Sequence, residues 1–159
     1  MSHPPHLNES GQVHMVDVGD KAVTTRIATA RGWLSLSAAA LEAIQDGTGP
    51  KGDVLAVARV AAIQATKRTA DWIPLCHPLP IHKVTVELTL ESERVCCEVT
   101  VKTHGRTGVE MEALTAVSAG LLTVYDMIKA VDRTATIGPI QLEHKEGGRS
   151  GLWSRPPAT

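Results

Sequence analysis

The spacing of apolar residues predicts strands in four parts of the chain. Residues 21–36 hold a cluster of β-branched side chains, and residues 84–90 and 95–101 alternate between apolar and polar. The short polar break between the last two runs predicts an antiparallel hairpin. Apolar residues at 137–142 predict a last strand near the chain end.

Helical spacing and capping residues predict three helices. Ser37 is a candidate N-cap for a short helix ending near Gly47, and Asp53 for a long one over residues 54–69. A third helix is predicted over residues 108–131, whereas the prolines of IPLCHPLP exclude helix and central strand there. The order β-α-α-β-β-α-β predicts an α+β fold, a ferredoxin-like sandwich with helices packed on one face of a mainly antiparallel sheet.

Both long helices carry more apolar residues than one buried face requires. The first has a stripe of Val54, Val57, Ala58, Ala61 and Ala65, with Leu55, Val60 and Ile63 on other faces. The second has a stripe of Met111, Leu114, Ser118, Leu121, Leu122, Tyr125 and Ile128, which ends at Lys129. A second partner surface is therefore expected, and the chain is predicted to form a homo-oligomer.

Length and charge limit the function classes. The 159 residues fit a single domain, 1–159, with about 1–11 and 154–159 expected to be flexible. A formal net charge of -1 and few, scattered aromatic residues argue against nucleic acid and acidic membranes as partners. Without a signal-like start or an apolar run approaching a membrane span, a cytoplasmic protein is expected.

The cysteine and histidine patterns favour neither disulfides nor metal. Cys76, Cys96 and Cys97 are an odd number with no CxxC pair, and adjacent Cys96 and Cys97 should point to opposite faces of a strand. No HExxH motif occurs either. We therefore predict no required metal and a reducing compartment.

Several polar residues could carry chemistry, each with a plainer alternative. Asp126 and Lys129 are spaced to meet on a helix, or simply form a surface ion pair. Lys51 follows a glycine-rich loop that could cradle an anion, although the loop is not a P-loop. Cys76 and His77 lie in a proline-stiffened loop, where a lone histidine is more often structural.

A series of motifs resembles one known family in order and spacing. These motifs are HMVDVGDKA, PKGD, ATKRT, IPLCHP, GVEMEALTA, YDMIKAVD, IGPI and GGRSG. Together they resemble the MoaC family of molybdenum cofactor biosynthesis over nearly the whole chain. The resemblance implies a lyase that converts (8S)-3',8-cyclo-7,8-dihydroguanosine 5'-triphosphate to cyclic pyranopterin monophosphate by acid/base catalysis, with release of pyrophosphate.

The resemblance also implies roles for particular residues. Substrate binding falls to Leu75, Cys76, His77, Met111 and Glu112, and catalysis to Asp126, Lys51 and Lys129. The candidate cations for the triphosphate are Lys51, Lys67, Lys129 and Arg149. Arg149 stands where the family pattern commonly has lysine, so it keeps a phosphate clamp but makes an acid/base role doubtful.

The partners implied by the resemblance are a nucleotide substrate, further copies of the chain in a hexamer built as a trimer of dimers, and a radical SAM enzyme acting earlier. No cofactor is implied, and whether magnesium accompanies the triphosphate is left open. Two rival interpretations are a non-enzymatic ligand-binding module on the same scaffold and a different nucleotide or pterin lyase.

Overall fold

The computed structural model describes residues 5–158 of the chain. The helices and strands, in chain order, are β1 (Thr24–Ser35), α1 (Ala38–Gln45), α2 (Val54–Thr66), α3 (Thr69–Trp72), β2 (Lys83–Leu90), β3 (Arg94–Gly105), α4 (Glu110–Ile128), β4 (Thr136–Glu146) and β5 (Trp153–Ser154). Every predicted element is present. The short α3 and β5 were not predicted, and the long helix ends at Thr66 rather than Thr69.

The strands form one antiparallel sheet in the order β2-β3-β1-β4-β5. Without α1, α3 and β5, the chain follows the β-α-β-β-α-β pattern of a ferredoxin-like sandwich, which confirms the predicted α+β class. The pairing of β1 with β4 shifts register between Gly32 and Leu34, opposite Gly138 and Pro139. Pro139 has no N–H to donate to the ladder, so an irregularity at this point is expected.

The core lies between one face of the sheet and the helices α2 and α4. Alternate residues of β1, such as Ala28, Ala30 and Leu34, are fully buried against it. At Gly120 of α4, an added Cβ would lie 3.5 Å from the Cβ of Ala62 in α2, which is already van der Waals contact. Small residues therefore let the two helices and the sheet approach closely.

Both predicted N-caps are confirmed. The Ser37 hydroxyl accepts a hydrogen bond from the Ala40 amide at 3.3 Å, and the Asp53 carboxylate accepts one from the Ala56 amide at 3.0 Å. Each cap satisfies an amide that has no partner within its helix. The Asp53 cap also fixes the end of the loop that carries Lys51, two residues earlier.

The predicted buried stripes of the two long helices are partly wrong. In α2 the stripe residue Ala58 is fully buried, but Val57 is 45% exposed. In α4 the stripe residue Leu121 is fully buried, but Leu122 is 54% exposed. Adjacent residues of a helix point about 100° apart, so only one of each neighbouring pair can face the core.

Cys96 and Cys97 do point to opposite faces of β3, as predicted. Cys97 is buried beside Gly120, Cys96 is partly exposed, and all three cysteines are free thiols. The flexibility expected at the two ends stays a prediction, and residues 1–4 and 159 lie outside the described part of the chain.

One expectation about membranes needs correction. By length and composition, α4 is apolar enough to cross a bilayer, although no apolar run was expected to approach that length. More than half of the helix is buried inside the fold, which is typical of the core helix of a globular domain.

Candidate active site

A cavity of about 1170 Å³ opens beside the N-terminal end of α4. Four segments surround it: the extended chain before β1, the IPLCHP loop, the turn from β3 into α4, and the GGRSG loop after β4. All five residues predicted to bind substrate line it, namely Leu75, Cys76, His77, Met111 and Glu112. Residues from distant parts of the sequence thus meet in one concave site large enough for a nucleotide.

Glu112 is the most unusual of these residues because it is an almost fully buried carboxyl group, with 3% exposure. Among residues 5–158 no lysine, arginine or histidine forms an ion pair with it. Burial is the main cause that raises the pKa of Glu112 to about 7; its own backbone amide opposes the shift, and the negative charge of Glu110 adds to it. The group therefore exchanges protons near neutral pH.

Glu110, two residues earlier, has a different environment. Its carboxylate lies 2.6 Å from the ammonium of Lys145 in β4. This ion pair ties the first turn of α4 to the sheet and leaves Glu112 as the uncompensated acid of that turn.

His77 fastens the extended segment that precedes β1. Its Nε2 lies 2.9 Å from the carbonyl oxygen of Val16, which can only accept, so Nε2 donates. Arg106 holds the same segment through hydrogen bonds from Nη1 to the carbonyls of Gly19 and Lys21. These contacts place Val16 and Lys21 along the cavity wall.

Cys76 lies beside His77 in sequence, yet the thiol and the imidazole form no hydrogen bond in the described structure. Burial raises the pKa of the Cys76 thiol, and the negative charges of Glu112 and Glu110 raise it further. A protonated thiol is a poor nucleophile, so the geometry gives no support to covalent catalysis by Cys76.

The three residues predicted to be catalytic form a second group, at the other end of α4. The two oxygens of Asp126 each meet one ammonium: Lys51 lies 2.6 Å from Oδ2 and Lys129 lies 2.7 Å from Oδ1. The hydrogen bond from Lys129 is the largest cause, and the one from Lys51 the next largest, of the lowering of the pKa of Asp126 to about 2. About half of each side chain is exposed, so the cluster faces solvent.

The two groups of predicted site residues do not meet within one chain. Met111 lies in the first turn of α4 and Asp126 in its last turn, fifteen residues further on. At about 1.5 Å per residue this separates them by about 22 Å along the helix axis. A single copy therefore presents the cavity and the Lys-Asp-Lys cluster as separate sites.

The candidate phosphate-binding cations divide in the same way. Arg149 lines the cavity, whereas Lys51 and Lys129 belong to the cluster. Lys67 lies in neither and lines a separate shallow groove beside β2.

Three cations in the cavity wall were missed from the sequence: Lys21, Arg26 and Arg106. Arg26 could have been identified as a site residue, since an arginine in a half-buried, β-branched strand needs partners. Arg106 could have been identified as well, because it stands next to the turn into α4. Their convergence with Arg149 depends on pairings between distant strands, which spacing does not reveal.

No group of three or more histidine, cysteine or acidic residues is placed to hold a metal ion within residues 5–158. The titratable side chains of the cavity include the two carboxyl groups of the first turn of α4, together with arginine and lysine from the surrounding segments. Such a set can bind an anion and move protons without a bound metal.

Comparison with known proteins gives two matching findings. The MoaC family model matches residues 15–148. A protein of Thermomicrobium roseum named cyclic pyranopterin monophosphate synthase is 57% identical over 157 residues, which is 98% of this chain and 95% of the relative.

Proposed function

The chain is an enzyme of the MoaC family, and we propose that it converts (8S)-3',8-cyclo-7,8-dihydroguanosine 5'-triphosphate to cyclic pyranopterin monophosphate in molybdenum cofactor biosynthesis. The reaction releases pyrophosphate, which makes the enzyme a phosphorus–oxygen lyase. The observation that carries the proposal is a single cavity lined both by a buried acid and by a group of cations. A nucleotide triphosphate needs both, because it combines a base with phosphates.

The cationic wall suits the triphosphate. Lys21, Arg106 and Arg149 line the same cavity as the buried acid, so several positive charges can lie beside the phosphate oxygens. As the sugar hydroxyl attacks the α-phosphate, negative charge develops on the leaving pyrophosphate. Fixed cations stabilise that charge in the transition state.

Glu112 is assigned to the ring chemistry. Opening of the purine ring and formation of the new C–N bonds both require proton transfers, and a carboxyl group with a pKa of about 7 can give or take protons at neutral pH. The apolar side chains around it, including Leu75 and Met111, exclude part of the water and pack against a flat ring.

The Lys-Asp-Lys cluster completes the site only if it comes from another copy. It lies about 22 Å from the cavity of its own chain, at the far end of α4. The outward apolar residues Val57, Val60 and Leu122 offer a surface for association. The proposed assembly is a homohexamer built as a trimer of dimers, in which cavity and cluster of neighbouring copies face one another.

In this arrangement the triphosphate competes with Asp126 for the two lysines. When Lys51 or Lys129 turns to a phosphate oxygen, one oxygen of Asp126 loses its partner and its pKa rises. Asp126 then takes up a proton from the reacting substrate and later returns it. The lysines serve as phosphate ligands and proton carriers at the same centre.

The remaining parts of the proposal concern what surrounds the reaction. The substrate is supplied by a radical SAM enzyme in the cytoplasm, and neither nucleic acid nor membrane takes part. The protein requires no cofactor of its own, and any magnesium enters with the triphosphate.

Anaerobic incubation with the cyclic nucleotide triphosphate tests the reaction directly. Release of pyrophosphate and formation of the pterin product are followed together, with Lys51→Ala as the inactive control and GTP as an alternative substrate. Product from the wild-type protein alone supports the proposal. Unchanged substrate, or product formed from GTP alone, would contradict it.

A further inference from the structure

Arg26 lies beneath the loop that carries Arg149, and its guanidinium joins two other segments of the cavity wall. From its place in β1, Nε donates to the carbonyl of Gly105 at 3.3 Å and Nη2 donates to the carbonyl of Arg106 at 3.1 Å. These bonds hold the end of β3 and the turn into α4. Two of the donor positions of Arg26 are thus occupied by backbone oxygens.

The third side of the guanidinium is covered by glycine. Gly148 has φ +74°, and a Cβ placed there would lie 2.7 Å from Cζ of Arg26 and closer still to Nη1. The neighbouring Gly147 has φ +95°, and its Cβ would lie 3.2 Å from Cδ of Arg26. The loop therefore rests directly on Arg26, at a distance that only glycine allows.

Gly151, at the other end of the same loop, offers a contrast. It also has a positive φ, of +62°, but nothing lies within 4 Å of the place where its Cβ would be. Its amide donates to the carbonyl of Gly148 at 3.2 Å, which closes the turn around Arg149. The two glycines share the backbone constraint, and only Gly148 also touches Arg26.

We infer that Arg26 is a positioning residue whose guanidinium fixes the Gly147–Gly151 loop against the turn after β3, and so sets Arg149 and Arg106 for binding of the pyrophosphate part of the substrate. The inference rests on the proposed function, because that function assigns the cationic wall to phosphate. The planar fork is required, since lysine cannot donate to both carbonyls while lying flat under a glycine.

Binding of inorganic pyrophosphate to the full-length protein, measured by calorimetry, tests this role. Gly148→Ala is expected to weaken binding about tenfold, which is about threefold or more beyond the effect of Gly151→Ala, because the latter strains the same turn but meets no side chain. Arg26→Lys keeps the charge but is expected to weaken binding by a similar factor of about ten. Thermal melting of each variant checks that the fold is retained.

A double-variant cycle makes the test specific. If Gly148→Ala acts through Arg26, the double variant of Gly148→Ala with Arg26→Lys should bind pyrophosphate no more than about twofold worse than the single variant that has the lower affinity. The inference would be overturned if the losses of affinity in the two single variants multiply in the double variant, or if Gly148→Ala and Gly151→Ala weaken binding equally. It would also be overturned if Arg26→Lys binds pyrophosphate as well as the wild type, or if the wild-type protein binds no pyrophosphate at millimolar concentration.

Failure of the proposed function looks different. In that case the wild-type protein and its variants follow the expected pattern of pyrophosphate binding, but the wild type makes no pterin product. Turnover by the wild type with independent effects at Arg26 and Gly148 would instead reject only the positioning role.

Discussion

The two ends of α4 each present a carboxyl group, and their surroundings are opposite. Glu112, in the first turn, is buried and forms no ion pair with any cation of residues 5–158, and its pKa is raised to about 7. Asp126, in the last turn, lies between two ammonium groups in solvent, and its pKa is lowered to about 2. One helix thus supplies one acid that exchanges protons near neutral pH and one that stays ionised while its lysines remain.

The difference shows which physical effect decides each case. At Glu112 the loss of water around the charged form outweighs its position at the positive end of a helix, which alone favours the ionised carboxylate. At Asp126 there is little burial to oppose the two hydrogen-bonded lysines. The position along the helix would predict the reverse order of pKa values, so burial and pairing determine the roles.

The largest effect is expected from removing the proton site of the exposed acid. Asp126→Asn keeps the shape of the side chain but cannot take up a proton, so kcat should fall by about 10³-fold. The fold should be unaffected because the side chain is exposed. Single-turnover pyrophosphate release measures the loss.

Glu91→Gln is the matched control for that variant. Glu91 also pairs with a cation three residues away, Arg94, but it lies in the turn between β2 and β3, away from the cavity and the cluster. Its turnover should equal that of the wild type. A similar loss in both variants would mean that Asp126 acts only through general surface charge.

Glu112→Gln should change how the stability of the protein depends on pH. The unfolded carboxyl ionises near pH 4.5 and the folded one near about 7, so the folded state holds the extra proton between these values. The free energy of unfolding of the wild type therefore falls as pH rises through this window. At pH 8 the glutamine variant should be more stable than the wild type by on the order of 2 kcal/mol. This is less than the free energy that corresponds to the full pKa shift, because the cavity admits water.

Urea unfolding at pH 4 and pH 8 measures that effect, and the stability gain should be confined to the higher pH. The same variant should turn over more slowly than the wild type. Its remaining rate should lack the change near pH 7 that an acid with this pKa produces. Equal stability of the two proteins at pH 8 would indicate that Glu112 is not held in a desolvated state.

Besides the loss of turnover, removing one lysine of the cluster is expected to cause a smaller change, a shift in the pKa of Asp126. In Lys51→Ala the Oδ2 atom of Asp126 loses its partner, so the pKa of Asp126 should rise while Lys129 still holds it below its ordinary value. NMR titration of the carboxyl carbon follows the change. An unaltered titration would show that the Lys51 contact contributes nothing to the state of Asp126.

The fold was largely predictable because its signals are local. A β-branched cluster identified β1, alternation identified β2 and β3, and a short set of apolar residues identified β4. The side chains of Ser37 and Asp53 located two helix starts. The two-residue β5 gives no periodic signal. Helix faces were harder, since α4 is apolar on several sides and its buried face includes Val117 and Val124, which lie outside the predicted stripe.

The site was less predictable because it depends on contacts between distant segments. Family resemblance identified Glu112, yet its uncompensated burial follows only from the packed cavity. Pairing of β1 with β3 and β4 brings Arg26 to Arg106 and to the GGRSG loop, a convergence that no spacing rule anticipates. The separation of Met111 from Asp126 did follow from the sequence, because a continuous helix fixes that distance.

The cavity of one copy is proposed to work with the Lys-Asp-Lys cluster of another, and mixed oligomers of two inactive variants test this arrangement. Asp126→Asn and Glu112→Gln, carrying different affinity tags, are co-expressed and the mixed oligomers are purified through both tags. A randomly mixed population has one intact composite site for about every four sites, so the account predicts about a quarter of wild-type turnover. Mixed oligomers as inactive as either parent would contradict a site shared between copies.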